Sequence, residues 1–563
     1  MNKKETLQLE NRHLFWIFAL LAGIGFDQLF WERSFGINFF LFILLGILGG
    51  LIPIWLENTK IPWTAYLLLV PIGFFAIMTF IRAEPFTTLT NVLITLALLI
   101  LFSITLQTSA WYKFTLRDHL VKGFQFSLNT IIGGILFFIK TRKKSAATAA
   151  SEGETVEEQT NQPSKDRDKQ GSKKSFIKQA APYLRGTLLA LPILALLAFL
   201  LGQADPIFND RLQKIFSSFS FDNLGETLAR FILVLVIAYG LLSVYAYALL
   251  ESDKSQPDDR DTPAISPFLG SIEATMVLGG VNLLFLTFVI LQFNYLFSGG
   301  ENISITGYTY AEYARRGFFE LITVAVISVF LFYVLSLVTK REQKTQQRLF
   351  SILGVTLVAL VAIILVSAYI RLNLYEAAYG FTRLRTLAHI FMVWVGLLLV
   401  GIAVIELTKQ MPRLALILIC FILGFGLTIN ILNIDKFIAQ KNVARAVTTA
   451  EQGQEPNLDT SYLNALSEDA IPTLVTFFKA QEIPESIKDE IGGVLACKLA
   501  GVAVSEERSW QSYHDAKNRA GSLLRGLSED LKAYPVSYDM YTWFVEVNGE
   551  VKSCQGQYVE PFD

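Results

Sequence analysis

The sequence predicts an all-α integral membrane protein. It should have about eleven transmembrane helices, a disordered cytoplasmic linker, and a small, mainly helical extracytoplasmic C-terminal domain with a terminal hairpin. Three observations predict this. Apolar runs of roughly 17 to 25 residues, each long enough to cross a hydrocarbon core of about 30 Å, recur along most of the chain. Of 563 residues 52% are hydrophobic and 17% charged, with 44 Phe and a mean hydropathy of +0.44, whereas a soluble chain carries about a quarter charged residues. Lys and Arg are segregated by position, so the net charge of -1 says little about partners.

The spans fall near Leu14 to Phe30, Ile37 to Leu56, Trp63 to Ile81, Leu89 to Leu106, Thr187 to Gly202, Phe231 to Leu250, Thr275 to Phe297, Phe318 to Val338, Leu349 to Ile370, Thr386 to Leu407 and Leu414 to Ile431. The first follows Lys3, Lys4 and Arg12 as a signal-peptide core would. Asp27 follows it and no small-residue cleavage site does, so it is expected to stay as a span. Phe124 to Ile139, interrupted by Ser127, Asn129, Gly133 and Gly134, reads as an interfacial or re-entrant helix. With that count Lys60, Lys113, Arg117, Lys122, Lys340, Arg341, Lys344, Arg348, Lys409 and Arg413 share one side with the N-terminus. That side is the cytoplasm, and the segment after Ile431 is then outside.

Four regions follow: an N-terminal bundle (1–139), a linker (140–179), a seven-span main bundle (180–434) and a C-terminal domain (435–563). The linker is rich in Lys, Glu, Ser, Thr, Gln and Asp and cannot bury a core. Its basic ends, Lys140 to Lys144 and Lys173 to Lys178, read as a solvated tether or as contacts to anionic lipid head groups of the bilayer. Glu251 to Pro263 is a second polar loop, acidic in character. In the tail, Tyr462, Leu463, Leu466, Ile471, Leu474, Val475 and Phe478 recur at helical spacing, with Ser467 as an N-cap candidate and Asp469 in the first turn. Further helices are expected from Pro484 to Ala500 and from Ser509 to Lys532, and Asn548-Gly549 marks a hairpin after Tyr541 to Val547. Cys420 lies in a span. Cys497 and Cys554 are the tail's pair, and a disulfide and two unrelated thiols are both open readings.

Two arginine motifs fall in loops that the charge pattern puts outside, where Lys and Arg are normally depleted. The first holds Tyr308, Tyr310, Glu312, Tyr313, Arg315, Arg316 and Glu320; the second holds Arg371, Tyr375, Glu376, Tyr379, Gly380, Arg383 and Arg385, with His389 a turn further on. Glu312, Arg316 and Glu320 sit at successive i, i+4 positions, which allows helical ion pairs. Glu320 enters an apolar span, so it is expected to face the bundle or a wet cavity. The motifs read either as a clasp pinning two outer loops or as an anion or head-group pocket in which the arginines supply the charge. Among the other polar residues in or beside spans, Asn282, Gln292 and Asn294 read as interhelical hydrogen bonders and Glu406 as a boundary residue beside Lys409. Asp205 reads as a helix cap.

The stretches Tyr310-Ala-Glu-Tyr-Ala-Arg-Arg-Gly-Phe-Phe-Glu-Leu321, Arg371-Leu-Asn-Leu-Tyr375 and Ala378-Tyr-Gly-Phe-Thr-Arg-Leu-Arg385, the run from Leu188 to Phe208 with Ala204-Asp205-Pro206, and Leu463 to Leu474 with Asp469-Ala-Ile-Pro472 resemble the bacterial multi-pass family catalogued as domain of unknown function 4173. The resemblance implies a bacterial membrane protein and carries no activity. His13, His119, His389 and His514 are too scattered for a metal site. The sequence has no phosphate-binding glycine loop, HExxH or Gly-x-Ser-x-Gly. Neither cofactor, metal nor nucleic acid is expected, and a non-enzyme is favoured. The favoured reading is a structural, scaffolding or sensory component of the cell envelope that contacts an envelope protein through its C-terminal domain. The alternatives are a transporter, or a transferase acting on a lipid-linked or anionic substrate at the arginine-rich pocket.

Overall fold

A computed structural model describes residues 12–108, 111–131, 201, 205, 224–252, 267–296, 318–454, 458–504, 509–539 and 542–555. The first arginine motif up to residue 317, the linker 140–179 and nearly all of the span 187–202 lie outside these residues. By contacts the chain divides into two units, one made of 1–134 with 237–563 and the other of 135–236; in the second, the main described element is the first half of helix 224–250.

The membrane part is built from α1 (Arg12–Phe30), α2 (Ile37–Leu56), α3 (Trp63–Tyr66), α4 (Leu69–Ile81), α5 (Pro85–Thr105), α6 (116–131), α7 (Leu224–Leu250), α8 (Ser271–Leu296), α9 (Phe318–Val338), α10 (Lys344–Tyr379), α11 (Arg383–Leu407) and α12 (Leu414–Leu432). Ten stretches are long and apolar enough to cross a membrane among the described residues, with the short α3 and α4 together making one. The protein is therefore a multi-pass membrane protein. Large apolar side chains such as Trp55, Trp63 and Val70 face outward, as a lipid-facing surface requires.

Local chemistry sets the helix ends. The Glu84 carboxylate caps α5, accepting from Phe86 N (3.0 Å) and Thr87 N (2.6 Å), with Pro85 in the first turn where its missing N–H is harmless. Gln343 and Gln346 form a capping box at the start of α10. Asn433 adopts a left-handed conformation (φ 54°) and turns the chain from α12 into α13 (Ile434–Glu451). Asn91 of α5 and Asn430 of α12 exchange amide hydrogen bonds of 3.0 and 2.7 Å, tying the N-terminal spans to the last one. Asn282 donates to Leu353 O (3.0 Å), an interhelical bond of the kind its position suggested.

After α13 come α14 (Thr460–Ala465), α15 (Ile471–Lys479), α16 (Glu485–Val504) and α17 (Asp515–Arg525), then an antiparallel sheet in the order β1 (Val536–Asp539), β2 (Thr542–Val547), β3 (Glu550–Ser553). Asn548 and Gly549, both at positive φ, make the β2–β3 turn. β1 was not foreseen. The helix expected over Ser509 to Lys532 is instead three pieces: a 3-10 turn at Trp510–Ser512, α17, and a 3-10 turn at Asp530–Ala533. A tertiary contact breaks the first junction. Tyr513 O accepts from Ile37 N at 2.9 Å and Ser512 Oγ donates to Ser34 O at 3.1 Å, so this backbone serves the α1–α2 loop. A Cβ on Gly36 would come within 2.5 Å of that Tyr513 carbonyl, which is why the loop needs glycine there.

The C-terminal core is continuous with the span ends. Ile390 and Ile429 belong to the same buried cluster as Ile438, Leu474, Ile491 and Val545. Cys497 and Cys554 are disulfide-bonded, their Cα atoms 5.4 Å apart, which fastens β3 to α16.

Candidate functional site

The described residues of the second arginine motif lie at one end of the α10–α11 hairpin. Gly380 ends α10 at φ 81° and ψ 178°, a conformation essentially confined to glycine. Asn442 of α13 clamps the next peptide, accepting from Phe381 N (2.7 Å) and donating to Phe381 O (2.9 Å). Thr382 caps α11. The side chain of Arg383 then points at α13, where Nε and Nη2 donate to the two oxygens of Asp435 at 2.8 and 2.6 Å. This is the bidentate fork that fits guanidinium to carboxylate.

Asp435 is fully buried and takes a third donor, Ser467 N at 2.6 Å. Arg383 also donates from Nη2 to Ala465 O (3.1 Å) and from its backbone N to the Tyr462 hydroxyl (2.7 Å), and Glu84 lies 3.9 Å from Nε. Residues 462–469 thus form a strap across the span ends. Its far end holds Asp469, which accepts from Ala83 N (2.6 Å), Glu84 N (3.3 Å) and Asn433 Nδ2 (3.3 Å). Burial raises the Asp469 carboxyl above its ordinary range, against the pull of Ala83 N–H and Arg82; burial likewise lowers the Arg82 guanidinium, against Asp469. Burial thus works against the charged form of both groups, and the closest contact to the Asp469 carboxylate is the Ala83 N–H, with Arg82 Nη1 further off at 3.7 Å.

Arg385 folds back to donate to Gly380 O (2.7 Å) and lies over the Tyr375 ring at 4.0 Å, with Tyr379 beside Tyr375. Glu376 is buried 3.1 Å from His389 Nδ1 on α11. Arg371 is buried on α10. Ser367 Oγ, Glu376 Oε1, Thr386 Oγ1 and His389 Nε2 are buried without a hydrogen bond among the described residues. Glu320 is exposed on α9 instead of turning into the bundle. Tyr310, Glu312, Tyr313, Arg315 and Arg316 lie outside the described residues. Ser467 takes the N-cap position, but its side chain makes no capping bond there. No group of three or more His, Cys, Asp or Glu is arranged to hold a metal among the described residues.

At the other end of the hairpin Glu406, in the last turn of α11, is buried, with Arg341 Nη1 at 3.3 Å and Ser351 Oγ at 2.7 Å. Lys409 reaches Gln347 instead.

A known protein family matches residues 69–477 and is described as Domain of unknown function (DUF4153). The chain belongs to that family. Its number differs from the 4173 of the resemblance, and no activity comes with it. No curated relative and no solved structure matches the chain. Arg82, Glu84, Arg383, Asp435, Ser467 and Asp469 all lie within the DUF4153 region, whereas the disulfide lies beyond it.

Sequence reasoning found Arg383 and missed Asp435, its partner 52 positions on. The available signal was an acid directly after the last apolar run. Glu84-Pro85-Phe86-Thr87 was a readable capping signature as well.

Proposed function

We propose that this DUF4153 protein is a structural, scaffolding or sensory component of a bacterial cell envelope, with its N-terminus in the cytoplasm and residues 435–563 acting as an extracytoplasmic contact domain. The observation that carries the reading is the use made of Arg383. Its fork is closed on buried Asp435 and on the strap, which is how a joint between spans and a peripheral domain is built and leaves little of that charge for a substrate. The basic loops support the orientation, as does the Cys497–Cys554 bridge, since disulfides persist in oxidising compartments. Single cysteines introduced at Ser461 and in the linker at Ser164, labelled in intact cells with an impermeant maleimide, test it. Labelling at 461 with protection at 164 is expected, and the reverse pattern inverts the topology and removes the proposal.

A further inference from the structure

A polar cleft of about 540 Å³ opens in the C-terminal region beside the disulfide. Its lining contains three cations and one acid, Glu468. Lys498 is committed to the strap, donating to Asn464 O and Leu466 O at 2.7 Å each, and burial lowers its pKa against the pull of Glu468. Lys517 and Arg525 are different. Both belong to α17 and make no ion pair with the described residues. Eight positions separate their Cα atoms by roughly 12 Å along the helix axis, but the Arg525 guanidinium folds back one turn to Gly521, which brings its charge to within roughly 6 Å of the Lys517 turn. Gly521 sits midway and is buried, and the nearest atoms a Cβ there would meet are the Arg525 guanidinium nitrogens and Val502 at ordinary distance, so the missing side chain leaves room for the guanidinium against the helix. Trp543 of β2 forms part of the wall, Asn518 contributes an exposed amide, and Asn464 Oδ1 is buried in the lining without a hydrogen bond among the described residues.

We propose that this cleft binds an acidic glycan, a short run of sugars carrying carboxylates. Two separated cations suit carboxylates on successive residues better than one small anion, the indole offers a sugar ring an apolar surface, and the amides suit its hydroxyls. Asn464 and Glu468 also belong to the strap that grips Arg383 and Asp435. Occupancy therefore bears on the joint to the spans, which deepens the sensory side of the proposed function and rests on it for that coupling alone.

Calorimetric titration of the purified full chain in detergent with digalacturonic acid, maltose and inorganic phosphate tests the site. Sidedness plays no part in that measurement, so a failure of binding is distinct from a failure of topology. Digalacturonic acid should bind while maltose and phosphate do not. Affinity should fall about tenfold or more in Lys517→Ala/Arg525→Ala. Gly521→Leu, which fills the space beside the Arg525 guanidinium and displaces it, should also abolish binding while thiol titration reports an intact Cys497–Cys554 bridge. Absence of digalacturonic acid binding by the bridged wild type, equal binding of maltose or phosphate, or an unchanged affinity in the double variant would each overturn the assignment.

Discussion

The two ends of the α10–α11 hairpin each set a half-buried arginine beside a buried carboxylate, and they are built for different jobs. At one end Arg341 meets Glu406 through a single 3.3 Å contact, spends its other nitrogen on Ser336 O and Oγ (2.6 and 2.8 Å), and lies over the Phe350 ring. Those partners come from α9, α10 and α11, so this cluster ties span to span. At the other end Arg383 makes a two-pronged contact to Asp435, and the same carboxylate also holds Ser467 N of the strap. That cluster ties spans to a region outside the apolar core. Similar chemistry therefore gives a spacer in one case and an oriented joint in the other, the difference lying in the fork and in the third donor.

The largest expected effect tests that contrast directly. Asp435→Ala leaves a half-buried guanidinium and a strap N–H without their acceptor and should destabilise the protein by about 3–5 kcal/mol. Glu406→Ala, which removes two acceptor contacts, should cost about 1–3 kcal/mol. Thermal unfolding in detergent reads both. Equal losses would mean that the two ends are equivalent and the joint is no joint. Next in size, Cys554→Ser should lower the stability of the C-terminal region by about 2–4 kcal/mol, because the bridge closes a loop over a separation of 57 residues. Protease sensitivity confined to that region is the readout, and an unchanged digestion pattern would remove the bridge from the account. Gly380→Ala should cost about 1–3 kcal/mol from backbone conformation alone, with the Arg383 joint loosening because Asn442 can no longer seat the Phe381 peptide. An effect no larger than that of Gly453→Ala, also at positive φ but with open space around it, would show that the turn at 380 is not under constraint from the Asn442 contact.

The ten spans were legible because length and apolarity alone decide what can cross a bilayer, and most observed bounds agree with the predicted runs to within a few residues. Arg371, Arg383 and Arg385 were legible as residues needing a local reason. Tyr375 beside Arg385 was legible with them, and the acid that holds Arg383 was not. Glu376 was read as a member of the polar cluster, and among the described residues it faces His389; Asp435 was read only as the start of the C-terminal domain, and its carboxylate is also the centre of the joint. Periodicity reports the neighbours a helix makes with itself, and these contacts bridge segments tens to hundreds of positions apart. The same reason explains the broken 509–532 helix, whose register is sound but whose backbone is diverted to the α1–α2 loop.

The smallest effect concerns pH at the far end of the strap. Burial holds the Asp469 carboxyl above its unfolded value, so between that value of 3.8 and the raised one the folded protein binds the extra proton. Stability from this group is therefore fully present below 3.8 and is lost as pH rises through the raised pKa. Asp469→Asn keeps an oxygen for Ala83 N and Glu84 N but cannot ionise. Compared with wild type it should show a flatter stability profile across that acidic window and a relative gain above it, as no charge is left to desolvate. The Arg82 partner argues the same way, since at 3.7 Å it recovers too little to reverse the sign. If instead Asp469→Asn loses stability mainly above the window, the ion pair with Arg82 is worth more than its desolvation, and this end of the strap is a second electrostatic joint like the one at Arg383.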